Sequence, residues 1–476
     1  MVDLLLRGGT VVDGTGGPPR RADVAITGDR IVAVGEVPAT GSARVLDVAG
    51  LVVAPGFIDA HTHDDRLLFT DPGMAPKLSQ GVTTVVVGNC GISLAPLGRR
   101  EPVPPLNLVA GGDGPFFESL ADYFAALERD PPAINAAVLV GLTTLRAVTM
   151  ASLDREADAG EIEAMRAHVA QALAAGALGV STGTFYAPAR AATRDEVLRV
   201  LEPMRGTGAV VASHIRDEGD HVIDSLDEVI GIARELGIRQ VVSHHKVQGR
   251  TNFGRSRQTL AHIDEAALGA DVCIDCYPYA ASSTVLRIDS ARQASRVLVA
   301  WSQALPDCAG RFLDDLARGW GLDLEGAIAK LQPAGAIYFS MDEADVERIL
   351  AHPGTMIGSD GLPHDRFPHP RLWGAFPRVL GHYGRKRGLF SLETAVRKMT
   401  GLTAERFGLE GLGFVKPGMR ADLTIFDADT VIDTATFESP VSPARGIERV
   451  FVGGHIAWEC GAPTGSRDGV AFRRRA

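Results

Sequence analysis

The chain is poor in cysteine, has no excess of basic residues and contains no run of eighteen apolar residues. Its five cysteines, Cys90, Cys273, Cys276, Cys308 and Cys460, are odd in number and scattered. They make no disulfide framework and fit a reducing compartment, so a cytoplasmic location is expected. The lack of a long apolar run argues against a membrane span. The opening "MVDLLLRGGTVVDG" has an acid at position 3 and no basic leader, and it reads as a strand entering a turn, not as a signal peptide. A net charge of −10 argues against nucleic acid or an anionic membrane surface as partner. What is present is the composition of a soluble globular chain, 45% hydrophobic and 22% charged, whose 476 residues allow two or three domains.

The first fifty residues alternate apolar and polar positions around glycine-rich turns, in "DLLLRGGTVVDG", "ADVAITGDRIVAVG" and "ARVLDVAGLVVAPG". A period of two marks a half-buried antiparallel sheet. The C-terminal segment repeats the pattern in "ADLTIFDADTVID" and "RVFVGGHIAWE", so residues 1–52 and 413–476 are expected to build one small β-sandwich domain. "GGTVVDGTGG" is not read as a phosphate loop, because it lacks the lysine and the following helix.

Between the two ends, short apolar strands alternate with helical spacers such as "DAGEIEAMRAHVAQALAAG" and "DHVIDSLDEVIGIARELG". The strands are "VVAPGFIDAHTH", "TTVVVGNCG", "NAAVLVGLT", "ALGVSTGTF", "AVVASHIR", "QVVSHHK", "ADVCIDCYPY" and "TMIGSDG". This alternation predicts an α/β fold, a (β/α)8 TIM-like barrel over residues 53–412. The spacer before the last strand, about seventy residues, is too long for an ordinary loop. A helical insertion on the catalytic face is expected at approximately residues 286–345.

The strand ends carry residue types that bind metals and move protons. His61 and His63 close strand one, Cys90 strand two, His214 strand five, His244, His245 and Lys246 strand six, and Asp360 strand eight. A barrel gathers these ends on one face. His61 and His63 point to the same side of a strand, whereas at most one of His244 and His245 faces a shared metal. Taken singly, a histidine at a strand end is often only hydrogen-bonded, and a lone buried cysteine is usually inert. Their joint occurrence on five strand ends points to a metal site. "CIDC" does not, since Cys273 and Cys276 face opposite sides of a strand and no second pair lies nearby. His364 and His369 in "LPHDRFPHP" read as loop residues at the rim of the pocket.

"PGFIDAHTH", "SHIRDEGD", "SHHK", "GSDG" and "KPGMRADLTIFD" together resemble the amidohydrolase superfamily. Cys90 within "VVGNCG" narrows the resemblance to the N-acyl-D-amino-acid deacylases, or D-aminoacylases, and it covers nearly the whole chain. The resemblance implies zinc-dependent hydrolysis of the amide bond of N-acyl-D-amino acids, and the D configuration comes from it alone. It implies that Cys90, His214 and His244 hold one tightly bound zinc, that His61 and His63 border a second, weaker position, and that Asp360 is the general base. His61 would help to stabilise the oxyanion. Hydantoinases and dihydroorotases bridge two metals with a lysine on strand four, and "ALGVSTGTF" offers none.

Three protein ligands leaving one position open is the arrangement of a catalytic zinc, not of a structural one. The substrate's α-carboxylate requires cationic and hydroxyl donors. The resemblance supports Lys246, Tyr277, Ser283 and Arg371 in "HPRLWGAF", Lys246 and Tyr277 more firmly than Arg371, with Tyr186 in "TGTFYAP" as a further candidate. Each has an ordinary alternative as a surface charge or a packed aromatic. Arg287 in "STVLRID" at the pocket mouth would favour an acidic side chain such as that of D-glutamate, and its pairing with Asp289 is the competing reading. The rival functions are an enzyme for cyclic amides of the hydantoinase or dihydroorotase type and a non-catalytic scaffold. The intact set of donors speaks against the scaffold. A small-molecule substrate is the expected partner, with neither nucleic acid nor membrane, and the oligomeric state is left open.

Overall fold

Eight short strands, nearly all buried along their whole length, form the centre of the computed structural model, which describes residues 2–38, 43–112 and 114–474. In chain order they are β1 (Phe57–Asp59), β2 (Val82–Val87), β3 (Asn135–Gly141), β4 (Gly179–Gly183), β5 (Val210–His214), β6 (Arg239–Val242), β7 (Val272–Cys276) and β8 (Thr355–Ile357). Each pairs in parallel with the next. The ring closes from β8 back to β1, where Ala60 N donates to Ile357 O at 3.2 Å and Asp360 N donates to His61 O at 2.7 Å. Closure leaves no exposed sheet edge.

Side-chain parity explains why this ring is both a core and a site. Ala137 and Leu139, Val210 and Ala212, Val241, Cys273 and Met356 share one apolar cluster with Leu402, Phe407 and Leu412, which plug the barrel. Residues of the opposite parity, such as Val138, Val211, Val242 and Ile274, pack with the outer helices instead. Followed upward, the inward rows become polar: two residues past Ala212 stands His214, and two past Cys273 stands Asp275. The two helical spacers form as expected, over Ala159–Ala175 and Val222–Leu236. The first is opened by a capping box between Asp158 and Glu161.

Strands from both chain ends join in a second, nine-stranded sheet. Val52–Pro55, expected within the first barrel strand, belongs to this terminal sheet, where it pairs with Leu4–Val11 and with Leu423–Phe426. The apolar run is divided at Gly56, where a Cβ would lie 2.2 Å from the Thr83 hydroxyl, so only glycine lets the chain pass from one sheet to the other. At the other end Ala471–Phe472 returns to the barrel and pairs in parallel with β3. The long spacer holds the expected helices, Ile288–Gln293, Leu313–Trp320 and Leu324–Leu331. It also holds an antiparallel three-stranded sheet of Ser282–Val285, Val297–Ser302 and Ala334–Tyr338. Short apolar runs such as "VLVAWS" and "AGAIY" cannot be told from buried helix by periodicity, which is why the strands were not expected. Among the described residues no helix is long and apolar enough to cross a membrane.

Candidate metal centre

Beyond the strand ends, on the face opposite the Leu402–Phe407–Leu412 plug, the barrel brings six of the expected residues together. Among the described residues, two groups of donors lie within 4.8 Å of one another: His61, His63, Cys90 and Asp360, and Cys90, His214 and His244. All are buried, and Cys90 belongs to both groups. Its Sγ lies 3.2 Å from His61 Nε2 and 3.2 Å from His244 Nε2. Asp360 Oδ1 lies 3.2 Å from His63 Nε2 and 3.6 Å from His61 Nε2.

Backbone conformation aims these side chains inward. Cys90, His244 and Asp360 all have left-handed φ values of 55°, 36° and 51°. Such conformations are uncommon outside glycine and persist where the surrounding structure holds them. At His244 the turn separates neighbours, so that His244 joins the donors while His245 Nε2 lies 2.8 Å from the Thr259 hydroxyl. Burial then holds His245 neutral, its pKa lowered to about 3.

Electrostatics suits a cation. Burial opposes ionisation of the Cys90 thiol, but the charges of His61 and His244 outweigh it and hold the thiol well below its ordinary range. Burial likewise opposes ionisation of Asp360, and Arg371 followed by His244 draws it well below the usual carboxylate range. Burial would lower His63, yet its hydrogen bond with Asp360 and the neighbouring thiolate raise it to about 9. Neither ring nitrogen of His214 has a hydrogen-bond partner among the described residues, although both are buried. With no hydrogen bond on either nitrogen and facing a thiolate and a second imidazole, His214 fits a metal ligand. A thiolate with imidazoles and a carboxylate is a donor set that suits zinc.

Several residues that support the donors were given no role from the sequence. Glu218, four residues past His214, lies 3.3 Å from His244 Nδ1 and 3.6 Å from His214 Nε2. Asp275 accepts the backbone N–H of His244 at 2.8 Å and lies 3.5 Å from His61 Nδ1. Carboxylates behind the outer ring nitrogens orient histidine ligands.

The expected substrate contacts gather beside the donors. Arg371 is fully buried, with Nη1 2.9 Å from Asp360 Oδ2, Nη2 donating to Ser283 O at 3.2 Å and its guanidinium 4.5 Å from the centre of the Tyr277 ring. The Tyr277 hydroxyl, the Ser283 hydroxyl and Arg371 Nε are buried without a hydrogen-bond partner among the described residues. His369 proves more than a rim residue, because its Nδ1 accepts the backbone N–H of Arg371 at 3.0 Å. Lys246 Nζ donates to Glu218 at 2.6 Å and lies over the Tyr277 ring at 5.6 Å. Tyr186 packs against His214 at 5.1 Å, with its hydroxyl 3.2 Å from that of Thr284. Arg287 stands farther out, 4.7 Å over the Phe185 ring, which itself stacks on His214 at 4.8 Å. It lines a cavity of about 540 Å³ with Phe185, Arg190 and Glu218, and Asp289 is 3.8 Å away. Cys273 and Cys276 stay outside the centre, and burial pushes both thiols up to about 12.

Over residues 44–457 the sequence matches the amidohydrolase family. The chain belongs to the amidohydrolase family. Within it, the chain is 54% identical to the D-aminoacylase of Alcaligenes xylosoxydans xylosoxydans, covering 100% of this chain and 98% of that one. A solved D-aminoacylase described by its binuclear metal centre superimposes with a TM-score of 0.97 at 53% identity, with all of both chains covered. The N-acyl-D-glutamate deacylase of Bordetella bronchiseptica, solved with zinc and a phosphonate mimic of the tetrahedral intermediate, gives a TM-score of 0.95 at 44% identity over 99% of each chain. These similarities place this amidohydrolase among the N-acyl-D-amino-acid deacylases.

Proposed function

We propose that the chain is a zinc-dependent hydrolase that cleaves the amide bond of N-acyl-D-amino acids, releasing a carboxylic acid and a D-amino acid. The observation that carries this reading is the pair of donor groups joined at Cys90, set against Arg371, whose Nε has no hydrogen-bond partner among the described residues, and the buried, unpartnered hydroxyls of Tyr277 and Ser283. Cys90, His214 and His244 would hold one zinc tightly, and His61 and His63, with Asp360, border a second, weaker position. Zinc bound there supplies a Lewis acid for the amide carbonyl and lowers the pKa of water toward about 7. Asp360, ionised and facing the donors, accepts the proton of the attacking water and delivers it to the departing nitrogen. His61 is assigned to the donor set and not to the oxyanion, because its ring nitrogens face Cys90 and Asp275.

Arg371, Tyr277 and Ser283 supply the hydrogen bonds that a buried α-carboxylate needs. Lys246 adds charge across the Tyr277 ring while its ammonium is anchored by Glu218. Tyr186 closes the pocket wall beside His214. The strand-four lysine of the hydantoinase type has no counterpart, since β4 runs Gly-Val-Ser-Thr-Gly, which favours the linear amide. The D configuration is supported by the 54% identity to D-aminoacylase.

Arg287 supports a preference for acidic side chains, because it lines the cavity next to His214 and its nearest acid, Asp289, is largely exposed. The test is kcat/KM on paired D and L N-acetyl derivatives of leucine, methionine, glutamate and aspartate, repeated with Arg287→Ala. Turnover confined to the D series, with the D-glutamate to D-leucine ratio falling about tenfold in the variant, is expected for a lost charge contact. Turnover of L substrates would refute the stereochemical assignment, and an unchanged ratio would refute the role of Arg287.

A further inference from the structure

Beneath the first donor group lies a buried charge cluster that no substrate or metal would touch. Lys77 is fully buried, on the short helix Ala75–Leu78 between β1 and β2. Its Nζ donates to Asp59 Oδ2 at 2.8 Å and to the Ser359 hydroxyl at 2.9 Å, and it ion-pairs with Asp64 at 3.2 Å. Those three partners flank the donors: Asp59 and Asp64 bracket His61 and His63, and Ser359 precedes Asp360. The free oxygen of Asp59 accepts Ser359 N at 2.7 Å and His61 N at 3.3 Å, so the same carboxylate ties both strand ends. The Ser359 hydroxyl in turn accepts Gly361 N at 3.2 Å.

Backbone strain points to the same place. Among the described non-glycine residues five have left-handed backbone, and three of them are Cys90, His244 and Asp360. A fourth, Met74 at φ 49°, starts the helix that delivers Lys77, and its carbonyl accepts Lys77 N at 3.0 Å. The fold therefore spends strain at Asp360 and at the base of the residue that grips its neighbour. A buried lysine with two carboxylates costs desolvation, and in some proteins such a group serves to fix one arrangement among several.

We infer that Lys77 is a positioning residue that locks the β1 end bearing His61 and His63 to the β8 end bearing Asp360. The second donor group needs no such lock, because His214 and His244 are set by β5, β6, Glu218 and Asp275. Lys77 thus acts on one of the two groups, an asymmetry that a merely structural lysine would not produce.

This inference rests on the zinc-hydrolase reading, and the experiment separates the two. Full-length wild type, Lys77→Met and Ser359→Ala are stripped of metal, and zinc binding is followed by competition with a chromophoric chelator alongside kcat and KM. In Lys77→Met the tight zinc stays within about threefold of wild type, whereas the weaker site and kcat each drop about ten- to a hundredfold, the range for residues that orient metal ligands. Ser359→Ala leaves no buried charge behind, so it tests the same contact if Lys77→Met does not fold; it shows the same pattern at a smaller amplitude, about three- to tenfold. A folded variant that weakens both sites equally, or neither, overturns the inference. Wild type that binds no zinc overturns the zinc-hydrolase reading, and the inference with it.

Discussion

At the scale of single residues the centre is defined by groups whose hydrogen bonds are missing. Both ring nitrogens of His214 and the hydroxyls of Tyr277 and Ser283 are buried without a hydrogen bond among the described residues. A buried polar group without a partner costs about 1–3 kcal/mol, so their accumulation beside one thiolate marks a place built to receive something. Arg371 is the most exacting of them, since it holds Asp360 ionised against the effect of burial. Replacing it with alanine is expected to lower kcat/KM by about a hundredfold or more, in keeping with the loss of a buried charge partner. The sign of the pH effect follows. The Asp360 pKa is depressed with Arg371 in place and rises without it, so the acidic limb of the kcat/KM profile moves to higher pH. A profile of unchanged position would show that another group governs that limb. The donors themselves were legible, because histidine, cysteine and aspartate at strand ends are unusual in combination. Lys77 and Asp275 were not, because nothing in a local window distinguishes them, and the motifs that hold Asp59 and Glu218 gave no role to either. Lys77 meets Ser359 across 282 residues, and Asp59 meets it across 300.

At the scale of elements, the strands were readable as short apolar runs ended by chemistry, and all eight form the ring. The division of "VVAPGFIDAHTH" was not, since an apolar run carries no mark of which sheet it joins, and the cause lies in the approach of Thr83 to Gly56. The turn after β2 is equally demanding. Gly88 has φ 79°, and a Cβ there would lie 2.0 Å from Leu139 O on β3, while Cys90 follows two residues later. Gly88→Ala is therefore expected to destabilise the fold by at least about 2 kcal/mol, read from chemical denaturation, and to reduce bound zinc in the fraction that remains folded. Full stability with full zinc would mean that the turn is not what presents Cys90.

At the scale of the whole molecule, the two ends of the barrel are divided between stability and chemistry. The terminal sheet is fastened at the ends of β2 and β3 remote from the donors. There Thr424 donates to Gly81 O at 2.6 Å and Asn135 donates to Asp422 at 2.7 Å. The donors, Arg371 and the cavity beside Arg287 occupy the opposite face, next to the inserted three-stranded sheet. Because metal would bind only the folded arrangement of six residues from five strand ends, zinc at a hundred times its dissociation constant is expected to stabilise the chain by about 2.7 kcal/mol. The most direct measurement is a zinc titration of the stripped protein, with hydrolysis of N-acetyl-D-leucine and N-acetyl-D-glutamate followed at each addition and Cys90→Ala as control. Activity that appears with the first equivalent of zinc, and is absent at every zinc level in Cys90→Ala, is the expected result. Undiminished activity in the stripped protein, or in Cys90→Ala, would contradict a centre joined at Cys90.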